Sequence, residues 1–62
     1  MTTTTLLQIT GATPTALNIN IATTIVNIYM TAKSFYTEDV IDCMTNFLQT
    51  GNLDFMKYNI QF

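Results

Sequence analysis

Apolar positions recur with different periods along the chain, and each period predicts a different element. Residues 3–10, Thr-Thr-Thr-Leu-Leu-Gln-Ile-Thr, are rich in β-forming types. Leu7 and Ile9 share one face of an extended segment, so this stretch predicts a strand that Gly11 ends. Residues 14–35 follow a helical period instead. Thr13 reads as the cap and Pro14 as the first helical residue, where a missing N–H does no harm. Asn20, Thr23, Thr24, Asn27, Thr31 and Ser34 then fall in one polar stripe. Leu17, Ile21, Ile25, Ile28, Ala32 and Phe35 form the main apolar face. Ile19, Val26 and Met30 form a second apolar arc, with Ala22 and Tyr29 between the two. Leu17, Ile19 and Ile21 also alternate with Asn18 and Asn20, so residues 16–31 read alternatively as two strands. The run Ile25-Val26-Asn27-Ile28-Tyr29-Met30 breaks that alternation, and no turn residue separates two strands there.

A second helix is written more plainly. Thr37 reads as its N-cap, and Glu38 and Asp39 occupy the first turn, where they oppose the positive helix end. Val40, Ile41, Met44, Phe47 and Leu48 make one amphipathic stripe. Gly51 stands where a helix commonly closes with a left-handed residue. After Asn52 the chain alternates again. Met56, Tyr58, Ile60 and Phe62 face one way, and Lys57, Asn59 and Gln61 face the other. That pattern predicts a half-buried strand running to the last residue, which implies an anchored C-terminus.

The expected fold is therefore α+β: one small β-α-α-β domain over residues 1–62. Two strands and two helices make a thin core, and a two-stranded sheet is marginal in water. Size sharpens the point. A chain of 62 residues buries only roughly 60% of its unfolded surface. One cysteine, Cys43, and no histidine supply neither an intrachain disulfide nor a zinc site. Oligomerisation is the remaining way to complete such a fold. The chain starts at Met1 and reads as a complete small gene product.

Charge narrows the function classes. Only 10% of residues are charged, the net charge is −2, and residues 1–32 carry no charged side chain. Lys33 and Lys57 are the only basic residues. They cannot neutralise a phosphate backbone, so no nucleic-acid partner is expected. Without histidine there is no ordinary general base near neutral pH. No acid–base pair, nucleophile constellation or metal cluster stands out, so the chain is not expected to be an enzyme and no cofactor is expected. Glu38, Asp39 and Asp42 lie within one turn but lack the spacing and glycine of a calcium loop. They read as a solvated face that offsets the helix dipole. Cys43, among acidic and apolar neighbours, lacks the cation that would activate a thiol. It reads as a small core or interface residue.

Residues 14–35 as a helix would reach about 33 Å, close to a bilayer's hydrocarbon thickness. Asn18, Asn20 and Asn27 interrupt that span, and no Trp or Arg flanks it, so membrane insertion is not expected. With the main face packed inward, the second arc would face water, and large exposed apolar patches mark interaction sites. The expected interface is Ile19, Val26, Tyr29 and Met30 together with Tyr58, Ile60 and Phe62. On this reading a charge at Ile25 unfolds the protein, whereas a charge at Val26 dissociates it. The function expected is a non-enzymatic protein–protein interaction module, a structural or accessory subunit of a larger assembly such as a virion component. The alternative is a small soluble regulator or inhibitor, of viral type, that caps a host protein. A membrane-associated small protein is the third reading. The partner is a second copy of the chain, another protein, or both. The absence of a basic leader and the single cysteine point to an intracellular, cytoplasmic setting or to a virion.

Overall fold

In the computed structural model, which describes residues 1–32 and 36–53, three helices follow one another: α1 (Thr3–Thr10), α2 (Ala16–Ala32) and α3 (Thr37–Thr50). No strand occurs among the described residues. The expected α+β class is overturned, and the bundle is all-helical where a β-α-α-β chain was expected. The proposed C-terminal strand, with Tyr58, Ile60 and Phe62, lies outside the described residues.

The segment expected as the first strand is α1, and local hydrogen bonds explain why. The Thr2 hydroxyl accepts the Thr5 N–H at 3.2 Å and caps the helix start. Its oxygen also lies 2.9 Å from the Thr5 hydroxyl. Thr10 turns its hydroxyl back onto the Leu6 carbonyl at 2.8 Å. A run of threonines that would favour a pleated surface is thus engaged with helical backbone and with itself. At the other end Gly11 adopts φ 73°, the left-handed conformation. Its N–H donates to the Gln8 carbonyl, and the Ala12 N–H donates to the Leu7 carbonyl at 3.0 Å. That pair of bonds is a Schellman closure, which satisfies carbonyls the helix end leaves open. Nothing lies within 4 Å of where a Gly11 side chain would begin. Gly11→Ala therefore meets only the backbone penalty of the left-handed region, about 1 kcal/mol. The expected result is a modest fall in thermal midpoint, read by circular dichroism, with the helical spectrum unchanged.

The start of α2 also departs from the expectation. Thr15, not Thr13, is the cap: its hydroxyl accepts the Asn18 N–H at 3.1 Å, and its carbonyl accepts the Ile19 N–H. Pro14 precedes the helix. Around it, the Thr13 carbonyl accepts the Thr15 N–H at 2.7 Å and the Asn18 side-chain amide at 3.0 Å. This tight turn over Pro14 delays the helix by two residues. Residues 16–31 form one helix rather than two strands. In α3, Thr37 is the first helical residue, not the cap. Tyr36 stands at the cap position without a side-chain bond. Glu38 and Asp39 occupy the first turn as expected, and Gly51 closes the helix at φ 73° with its N–H on the Phe47 carbonyl.

All three helices touch one another. The core between them is wholly apolar: Leu6 and Leu7 from α1, Ala22, Ile25 and Val26 from α2, and Val40, Cys43 and Met44 from α3. Met1, Ala12 and Leu53 close its edges. No buried side-chain polar atom among the described residues lacks a hydrogen-bond partner. The weak helix formers of α2 (threonine, isoleucine, valine and asparagine) are held by this tertiary packing, since helix propensity alone would not sustain them.

Candidate interaction surface

The surface that matters follows from how α2 is turned in the bundle. Two apolar arcs were expected on it, one facing the core and one facing out. The buried direction instead runs between them. Ile25 from the main face, Val26 from the second arc and Ala22 from between them are all buried. Ile21, Ile28 and Tyr29 are half-buried beside them. A helix flanked by two others can bury a wide apolar arc, so most of both arcs goes into the chain's own core.

Of the residues expected to form the interface, Val26 is only 8% exposed and lies in that core. The exposed part of the second arc is its two ends, Ile19 at 41% and Met30 at 57%. Helix length explains the exposure at the Met30 end. At 1.5 Å per residue, the 8 residues of α1 reach about 12 Å and the 17 of α2 about 25 Å. The Thr3 and Thr23 hydroxyls share a hydrogen bond of 3.2 Å, which sets the start of α1 beside the middle of α2. The antiparallel run of the two helices leaves the last turns of α2, with Met30, beyond the reach of α1. Tyr29 points toward α3, where its hydroxyl meets the Thr37 hydroxyl at 3.3 Å. It joins two helices of one chain, a role that the periodicity alone did not indicate.

Beside Ile19 an open groove of about 430 Å³ runs between α1 and α2. Leu7, Ala12, Pro14 and Ile19 supply its apolar lining, and Thr3, Thr4, Gln8 and Thr23 its polar lining. None of these residues is charged, in keeping with the uncharged first half of the chain. Further exposed apolar side chains lie elsewhere: Ile9 on α1, Leu17 at the start of α2, Tyr36 before α3 and Leu48 near its end. The sequence placed Leu17 and Leu48 on apolar stripes and Ile9 on one strand face with Leu7; all three are exposed.

Few chemically active groups gather among the described residues. Glu38 and Asp42 are exposed, and Asp39 is half-buried, on the first turns of α3. No group of three or more His, Cys, Asp or Glu side chains among the described residues could hold a metal ion. Cys43 is buried in the core at 3% exposure. Its thiol is expected to react with an aromatic disulfide reagent only as the protein opens. Absorbance-monitored labelling should therefore be slow in native buffer and prompt in denaturant, because reagent reaches a buried side chain through unfolding fluctuations. Prompt native labelling would place Cys43 at the surface. No helix among the described residues is long and apolar enough to cross a membrane. Comparisons with protein-family models, with curated proteins and with solved structures give no match to this chain.

Proposed function

We propose that this chain is a non-enzymatic protein–protein interaction module, serving as a structural or accessory subunit of a larger assembly. The observation that carries this reading is the exposure of Ile19 and Met30, the two ends of the second apolar arc of α2, on a chain with 10% charged residues. Such side chains gain stability by burial against a complementary surface, at roughly 25 cal/mol per Å² of apolar area removed from water. With no charged side chain in residues 1–32, recognition on this side rests on shape and burial rather than electrostatic steering. The partner is a second copy of the chain or another protein. Nucleic acid and membrane are not part of the reading, and neither is catalysis. The setting is the cell interior or a virion.

A specific observation keeps the second reading, a small soluble regulator that caps another protein. The described helices enclose an apolar core with no orphaned polar side chain, so the protomer has what it needs to fold before meeting a partner. Light scattering coupled to size-exclusion, across a dilution series without detergent, tests both. A subunit-type module is expected to aggregate or to need detergent when purified without its partner. A stable, well-behaved species at every concentration, monomer or closed dimer, would overturn the subunit reading and favour the regulator.

A further inference from the structure

We draw no further inference here: the strongest candidate, the uncharged groove of about 430 Å³ between α1 and α2, adjoins the interaction edge already described, and nothing in the structure shows what occupies it.

Discussion

Leu6→Lys is expected to abolish folding, while Ile9→Lys three residues later leaves the protein folded. Leu6 is fully buried where all three helices meet, and Ile9 is 53% exposed. Burying a leucine side chain contributes about 1.5–3 kcal/mol, and that contribution is lost. The ammonium that replaces it would lie in a core without a single buried polar side chain among the described residues, at a further cost of several kcal/mol. A domain of 62 residues has a total stability of about 3–9 kcal/mol, so the sum exceeds or consumes it. At Ile9 the new amine reaches water, and its charge sits in the last turn of α1, where the helix dipole favours a cation. Thermal melts followed by far-UV circular dichroism should show no cooperative transition for Leu6→Lys and a near-native one for Ile9→Lys. A strand at residues 3–10 predicts the reverse order, because Ile9 would then face inward beside Leu7 and Leu6 outward. That outcome would overturn α1.

This pair of residues also shows where the sequence can be read and where it cannot. The α3 helix was legible: Val40, Met44 and Phe47 carry a helical stripe, Glu38 and Asp39 mark its start, and Gly51 marks its end. There, period, charge placement and closure agree. In the first ten residues they conflict. Leu6 and Leu7 form too short an apolar run for a period to be counted, and four consecutive threonines favour a strand by propensity. The decisive signals were Thr2 as a cap and Gly11 as a left-handed closure, and both are local hydrogen-bond chemistry rather than hydrophobic pattern. Threonine is ambiguous for a physical reason. Its β-branched methyl favours strands, yet its hydroxyl caps a helix start or bonds back one turn, as Thr24 does to the Asn20 carbonyl and Thr50 to the Asn46 carbonyl.

Replacing that strand by a helix changes why the chain would associate. A two-stranded sheet would have needed a partner strand to complete it. Three mutually packed helices need none for their core. Any association then rests on the surface the bundle leaves uncovered. Helix length sets the Met30 end of that surface, since α1 is too short to screen the whole of α2. Periodicity could group Ile19, Val26 and Met30 on one arc. It could not show that a neighbouring helix ends partway along.

The same reasoning separates Val26 from Met30, which a single arc would treat alike. Val26→Lys is expected to unfold the protomer. Its side chain is 8% exposed and packs with Ala22 and Ile25 in the common core, so the lost burial and the desolvated amine add as they do at Leu6. Met30→Lys is expected to leave the helical spectrum and the melting transition close to native. Met30 is 57% exposed, and a lysine there sits in the last turns of α2, where the dipole favours it. Its effect falls on assembly instead. A charged side chain on the apolar edge has to lose its hydration when that edge is covered, and without a paired acid this opposes association. Light scattering on Met30→Lys should shift the species toward the monomer at concentrations where the wild-type chain stays associated, while circular dichroism reports an intact fold. If Val26→Lys stays folded and dissociates, the outward arc expected from periodicity is right and the packing of α2 is wrong. If Met30→Lys leaves the associated species unchanged, the α2 edge is not the contact surface.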